Sequence, residues 1–483
     1  MSQQWIYTLV FFAWLAGAAA FVLGLHQMNS PATARNGNRL SAGGMTVAVV
    51  ATLIYLLTRT GGLSGIGLAI IVVGFLIGGG IGLYLARIVK MTAMPQLVSL
   101  FNAVGGGAAA LVAVDDYIKI AGTADPDIVS TTIFVVLGAV IGSVTFSGSL
   151  IASGKLQGLI PGKPIIFPAS RIVTIALAVV TVVGFVALVL ASAGTLSLSS
   201  AVSIIILGLI VAAALVFGVT MVLPIGGADM PVVISLLNSF TGTAAAMAGF
   251  VINNPVLIIA GALVGASGGI LTKLMADAMN RSIANIMVGG FGGGEGTVAA
   301  AGGAEGGTVR EIGVDDAAIQ LAYAQKVIVV PGYGLAVAQA QHAVRELAEL
   351  LEARGVEVSY AIHPVAGRMP GHMNVLLAEA NVPYPQLREM EEINPEFSRT
   401  DVALVVGAND VTNPAARSNP ASPIYGMPIL DVDAAKSIVV IKRSMGRGYA
   451  GIDNELYTNP KTGMLFADAK DGLAQLAAAV KAL

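Results

Sequence analysis

Nine stretches of this sequence are apolar enough to enter the hydrocarbon of a bilayer, which is ~30 Å thick and takes about 20 helical residues to cross. They run over residues 6–25, 45–57, 63–89, 97–114, 131–152, 172–191, 201–223, 232–252 and 256–276, the second short and the third long. With 55% hydrophobic and only 11% charged residues, the chain has too few polar groups to hide such runs inside a water-soluble core. The charges divide it further. Residues 1–288 hold 11 Lys/Arg and 6 Asp/Glu, residues 310–483 hold 15 and 20, and the first glutamate is Glu295. The reading is a multi-pass α-helical membrane domain over 1–288, a flexible Gly/Ala-rich linker over 289–309 and a soluble domain over 310–483. A net charge of −2 gives no sign of a nucleic-acid partner, and zero cysteines exclude disulfides, thiol catalysis and thiolate metal sites. No metal site is expected.

The first four residues carry no Lys or Arg, so the first run reads as a retained helix and not as a signal peptide. Lys and Arg of short loops stay on the cytoplasmic side. One set of alternate loops contains Arg35, Arg39, Arg87, Lys90, Lys155, Lys163, Arg171, Lys273 and Arg281, and the other only Arg59 and Lys119. The N-terminus is therefore expected outside, and nine crossings deliver the C-terminal domain to the cytoplasm.

The membrane part contains a repeat. Residues 94–113 laid over 230–249 are identical at nine positions, among them Met94/Met230, Pro95/Pro231, Ser99/Ser235, Asn102/Asn238 and Gly106/Gly242, and Gly138, Ala139 and Gly142 of the next run match Gly261, Ala262 and Gly265. By the loop charges both copies start on the cytoplasmic face, a parallel repeat. Asn102 and Asn238 sit seven residues into their expected helices, roughly 10 Å along the axis. Each is either an interhelical packing group or part of a polar lining. Asp229, the only acid between Asp127 and Asp277, stands at the mouth of the second copy and reads either as an inert interfacial carboxylate or as a candidate for proton entry, which would make the path asymmetric. Gly74, Gly78 and Gly82 are spaced for close helix packing.

Beyond the linker, strands alternate with helices: strands over 326–330, 356–362, 401–406, 437–441 and 464–467, a helix over 335–354 closed by Gly355, and a last helix over 468–482. This is a Rossmann-like doubly wound parallel sheet. Gly332, Tyr333, Gly334 and Val337 form a variant of the dinucleotide fingerprint, with valine in place of the third glycine, and read either as a phosphate cradle or as a tight structural turn. The second strand ends without the acid that an unphosphorylated ribose calls for. Instead Lys442, Arg443 and Ser444 end a later strand with two cations and a hydroxyl suited to a 2′-phosphate, unless they are simply solvated.

Together the blocks 331–340, 363–380, 407–410, 442–445 and 448–451, with 226–231 in the membrane, resemble the β subunit of proton-translocating NAD(P) transhydrogenases over nearly the whole chain. The resemblance implies that this chain binds NADP(H) through Gly332, Tyr333, Gly334 and Val337; Val365, Ala366, Gly367, Arg368, Met369 and Pro370; Gly407, Ala408, Asn409, Asp410 and Val411; Gly426 and Met427; Lys442, Arg443, Ser444, Met445, Gly446, Arg447, Gly448 and Tyr449; and Asp468 and Ala469. It also implies a lid around Tyr449, a bacterial inner-membrane location, a hydride transfer of the Si-specific/Re-specific type, and an assembly that is a dimer of heteromers. Many family members carry a membrane histidine where this chain has Asn102. Since an amide does not titrate near neutral pH, the search for the proton carrier extends to the partner. Hydride exchange between two nicotinamides needs two sites and this sequence shows one, so NAD(H) is expected on partner α subunits that also supply further membrane helices. The rival reading is an ion transporter or channel with a nucleotide-sensing domain, which would bind nucleotide without turnover.

Overall fold

The computed structural model describes residues 3–58, 62–90, 93–121, 128–162, 164–166, 169–226, 229–280, 282–284, 286, 308–367, 371–422, 424–446, 448 and 451–483. Chain contacts divide it into two compact units, the first ending at Thr272 and the second holding Lys273–Ile286 together with the C-terminal domain.

Among the described residues nine helices are long and apolar enough to cross a membrane: α1 (Gln3–Gln27), α2 (Pro31–Thr58), α3 (Gly65–Ile88), α4 (Met94–Ile120), α5 (Ile128–Leu156), α6 (Ser170–Ser192), α7 (Ser200–Val222), α8 (Met230–Val251) and α9 (Pro255–Ala278). The run that hydropathy made short, α2, spans 28 residues, because proline starts the helix and its polar first turns, with Arg35 and Arg39, fall outside any apolar window.

The repeat is visible as packing. A methyl added at Gly142 would stand 2.6 Å from the Gly106 carbonyl oxygen and 2.9 Å from the Ala110 nitrogen; one added at Gly261 would stand 2.6 Å from the Gly242 oxygen. In each copy two antiparallel helices thus meet backbone to backbone. Polar contacts repeat too. Ser99 Oγ donates to the Ser149 carbonyl (2.8 Å), and in the second copy Thr272 Oγ1, the counterpart of Ser149, donates to Ser235 Oγ (3.1 Å), the counterpart of Ser99. Gly138 and Gly148 of α5 face Met247 and Leu237 of α8, so α8 runs against α5 as α4 does, and α4 and α8 are parallel.

The copies differ in polarity. Gln96, Asn102, Ser153 and Lys155 are buried in the first, whereas Val232, Ala276 and Ala278 stand where Gln96, Ser153 and Lys155 have their counterparts. Lys155 corrects the loop assignment: α5 runs past it, and its ammonium donates to the carbonyls of Leu223 and Ile225 at the C-terminal end of α7, 2.8 Å for the latter. It is a helix cap; Arg35, Arg39, Arg87, Lys119, Arg171 and Lys273, also counted with the loops, fall within helices too. Among the described residues nothing packs on the α3 glycines: no residue of that helix is buried, and methyls at Gly74, Gly78 and Gly82 would meet nothing within 4 Å.

The C-terminal domain is a six-stranded, all-parallel sheet of β1 (Lys326–Pro331), β2 (Glu357–Ile362), β3 (Leu387–Glu389), β4 (Val402–Val406), β5 (Ser437–Lys442) and β6 (Thr462–Phe466), in the order β3-β2-β1-β4-β5-β6. The central strands are buried along nearly their whole length, as apolar runs covered on both faces must be. Three residues with an arginine and a glutamate gave β3 no sequence signal. The helix expected over 335–354 is two helices, Tyr333–Val337 and Gln341–Ala353. The Ala340 amide closes the first on Leu335 O (3.1 Å) and Gln339 takes a φ of +52°, a break with no Gly or Pro to announce it. Gly355 closes the second helix as read, at a φ of +87°.

Replacing Gly142 by leucine should force the α4–α5 backbones apart and lower the stability of the membrane unit by about 1–3 kcal/mol, whereas Gly78→Leu on α3 should cost little. Thermal scans of the detergent-solubilised protein compare the two, and equal shifts would mean that the close backbone contact is not what holds the pair.

Candidate functional site

The order β3-β2-β1-β4-β5-β6 reverses direction between β1 and β4, and in open α/β sheets ligands bind outside the carboxyl ends of the strands at such a point. There the structure opens a cavity of about 570 Å³. The end of β1 contributes Gly332, Tyr333, Gly334 and Val337; the end of β2, Val365, Ala366 and Gly367; the end of β4, Gly407, Ala408, Asn409, Asp410 and Val411; the end of β5, Lys442, Arg443, Ser444, Gly446 and Gly448; and the end of β6, Asp468 and Ala469. Ala338, Ile441 and Ala467 also line it, small or apolar residues that no motif singles out. Arg368, Met369, Pro370, Arg447 and Tyr449, and with Tyr449 the lid, lie outside the described residues. Three expected residues are off the wall. Met427 is buried in a cluster with Ala416, Ile424 and Ile429 against which Val365 and Val411 pack, Gly426 turns at a φ of +79° beside Asn280, and Met445 is exposed.

The glycines at the switch point clasp one another. A methyl at Gly332 would collide with the Ala408 backbone and the Gly407 oxygen, and one at Gly407, whose φ is +67°, would stand 2.5 Å from Gly334 Cα. The Gly334 amide donates to Gly407 O (2.9 Å) and the Gly332 amide to Val406 O (2.9 Å). The turn is therefore a structural necessity in its own right, and the helix it opens lasts only five residues.

Behind the clasp a polar scaffold fixes the β4 loop. Tyr457 Oη donates within 3.0 Å of both Ala408 O and Asn409 Oδ1, Asn454 Nδ2 donates to Asn409 O (3.0 Å), and Thr412 Oγ1 donates to the same carbonyl (2.9 Å). Tyr457 and Asn454 are buried, and no sequence motif pointed to either. In front, Lys442 extends over the Tyr457 ring, 4.5 Å from its centroid, and donates to Gly446 O (2.5 Å). Burial pushes the Lys442 ammonium below its ordinary pKa, against the nearby Asp410 and Asp453 that raise it. Asp468 caps the last helix by accepting from the Lys470 amide (3.0 Å).

Where β2 ends without an acid, His363 turns into the core. The Val365 amide donates to its Nδ1 (3.2 Å), so that nitrogen is the acceptor and Nε2 carries the proton toward Pro428 O (2.9 Å). Burial lowers its pKa to about 4, so it is neutral at physiological pH.

In the membrane unit Asn102 is buried and donates to Ser149 Oγ (3.0 Å), whereas Asn238 is half-buried and makes no side-chain hydrogen bond among the described residues. Both stand eight residues beyond the first residue of their parallel helices, each of which begins at its Met-Pro pair. Asp229 is buried at the N-terminus of α8, where a helix favours negative charge.

Comparison with known proteins fits this arrangement of a helical membrane unit and a nucleotide-type sheet. The family model described as NAD(P) transhydrogenase beta subunit matches residues 10–479. The chain belongs to that family. NAD(P) transhydrogenase subunit beta of Rhodospirillum rubrum, and the protein of the same name from a designated strain of that species, are each 51% identical to it over 479 residues, covering 98% of this chain and 99% of theirs. The chain is thus an integral membrane protein of a transhydrogenase family, and among the described residues it pairs nine apolar helices with a Rossmann-like domain, as expected from the sequence.

A buried neutral histidine makes a pH-dependent contribution to stability. The folded pKa near 4 lies below the unfolded value near 6.5, so between these values the unfolded chain binds more protons. The contribution is full above about pH 6.5 and is lost as pH falls to about 4, roughly 3 kcal/mol in all. Unfolding followed from pH 7.5 to 4 should show His363→Gln losing less stability than the parent over this window. Parallel pH profiles would mean that the ring is charged in the fold.

Proposed function

We propose that this chain is the NADP(H)-binding, proton-translocating subunit of a transhydrogenase in which hydride passes between NADH on a partner α subunit and NADP⁺ held here, coupled to inward proton movement. The observation that carries the reading is the meeting of Lys442, Arg443 and Ser444 with the glycine clasp in one cavity at the β1/β4 switch point, while β2 offers His363, turned inward, where a ribose-reading acid would stand. A cavity of about 570 Å³ with two cations and a hydroxyl on one wall suits a dinucleotide bearing an extra phosphate. NADP(H), when bound, supplies the hydride chemistry.

The chain's own residues bind and orient. Lys442, Arg443 and Ser444 donate to the 2′-phosphate. Gly332, Gly334 and Gly407 keep the cavity edge free of side chains, and Asn409 and Asp410 are held in place from behind. Arg368, Met369, Pro370, Gly426, Met427, Met445, Arg447 and Tyr449 complete the proposed set, with Tyr449 on the lid. Residues 1–288 form the translocating domain and 289–309 a linker to the NADP(H) domain at 310–483. The N-terminus faces outward and the nucleotide domain the cytoplasm of a bacterial cell, and partner α subunits supply NAD(H) and further membrane helices in a dimer of heteromers. Asn102, beside Ser149, and Asn238 line the proton path, with Asp229 exchanging protons at its cytoplasmic mouth. Coupling means that protonation and NADP(H) occupancy favour different conformations, each biasing the other's equilibrium.

Lys442→Ala with Arg443→Ala should weaken NADPH binding by about 1.5–3 kcal/mol for each lost phosphate contact while NADH affinity barely moves. Calorimetry that found equal losses for both nucleotides would remove these residues as phosphate readers. In membranes, NADH should reduce an NADP⁺ analogue only when the chain is present with its partner. Nucleotide binding without turnover in that complete system would leave a sensor.

A further inference from the structure

Tyr457 stands outside every motif of the sequence, yet it touches both working parts of the cavity. Its ring lies under the Lys442 ammonium at 4.5 Å, and its hydroxyl shares its one proton between Ala408 O and Asn409 Oδ1 on the β4 loop, 3.0 Å from each. The side chain is 2% exposed and belongs to the main core of the sheet, so it cannot drift. Lysine reads a phosphate as a point charge on a loose tether. Its four-carbon stem is flexible, and immobilising it on binding costs entropy that an arginine fork or a preorganised cation avoids. An aromatic face attracts an ammonium through its quadrupole, and the more so where water is partly excluded. Lys442 is half-buried, with the Gly446 carbonyl taking one of its three N–H donors.

We infer that Tyr457 is a specificity-determining positioning residue: its ring holds the Lys442 ammonium ready for a 2′-phosphate, and its hydroxyl independently fixes the loop that carries Asn409 and Asp410. This rests on the reading of Lys442 as a phosphate donor. The lowered pKa of Lys442 agrees with it, since a partly desolvated ammonium gains most from a ring beneath it. The two ends of one side chain then control different quantities. The ring sets the preference for NADPH over NADH, and the hydroxyl sets the affinity for both.

The test uses the full chain in detergent and the dissociation constants of NADPH and NADH. Tyr457→Phe should weaken both nucleotides alike and keep their ratio. Introducing 3,4,5-trifluorophenylalanine in place of tyrosine at position 457 keeps the shape of that phenylalanine ring but drains its negative face. Relative to Tyr457→Phe it should reduce the NADPH preference by about five- to ten-fold. In a Lys442→Met background the same pair should give equal ratios, because the ring then has no ammonium to hold. An unchanged preference on fluorination, or a loss that persists without the lysine, would overturn the inference while leaving Lys442 as a phosphate donor. A parent chain that binds NADPH and NADH equally would overturn the reading of Lys442 itself, and this inference with it.

Discussion

Backbone meeting backbone, with no side chain between, is the contact on which both units of this chain depend. In the membrane there is no hydrophobic driving force between helices, so close approach must supply van der Waals contact, and only small residues allow it. Gly106 against Gly142 and Gly242 against Gly261 provide that contact in two successive helix pairs. In the soluble domain the same residue type serves another end. Gly332, Gly334 and Gly407 let the loops after two neighbouring strands interlock, and the cavity edge is defined by that interlock. The 59 glycines are in part the signature of this one device used in two solvents.

Around the clasp, polar groups are sorted by layer. The groups behind it are buried, neutral and hydrogen-bonded: His363 as one defined tautomer between Val365 and Pro428, and Asn454, Thr412 and the Tyr457 hydroxyl around Asn409. Those in front are exposed or half-exposed and charged, Arg443 and Lys442 foremost. The order follows from desolvation. A charge in the rear layer would need an equally buried partner, whereas a fully satisfied neutral network costs little and holds the loops rigid.

Much of this was legible from the sequence, for reasons that can be named. Long apolar runs and period-free buried strands are dictated by solvent, so the membrane helices and β1, β2, β4, β5 and β6 could be located from the sequence, though several of their ends could not. The glycine and basic blocks at the strand ends could be read because ligands of such sheets gather there. What escaped was decided by tertiary contact. The break at Gln339 carries no Gly or Pro, β3 is too short to show a period, and Lys155 reads as a loop cation until the C-terminal end of α7 is seen against it. Tyr457 and Asn454 lie about 45 residues along the chain from the loop they hold, a distance that no local pattern spans. The α3 glycines show the limit of spacing: it says that a helix can be approached closely, but not which helix does so, and none of the described residues does.

The two helix pairs keep the same glycine seam and the same serine or threonine bridge, while Gln96, Ser153 and Lys155 of the first have become apolar at the matching places of the second. A hairpin present twice in one polypeptide can be retuned one copy at a time. The seam keeps each copy folded, so substitutions along the rest of the hairpin are released from that duty. One polypeptide thus holds the same seam twice, once with a polar interior beside it and once with an apolar one.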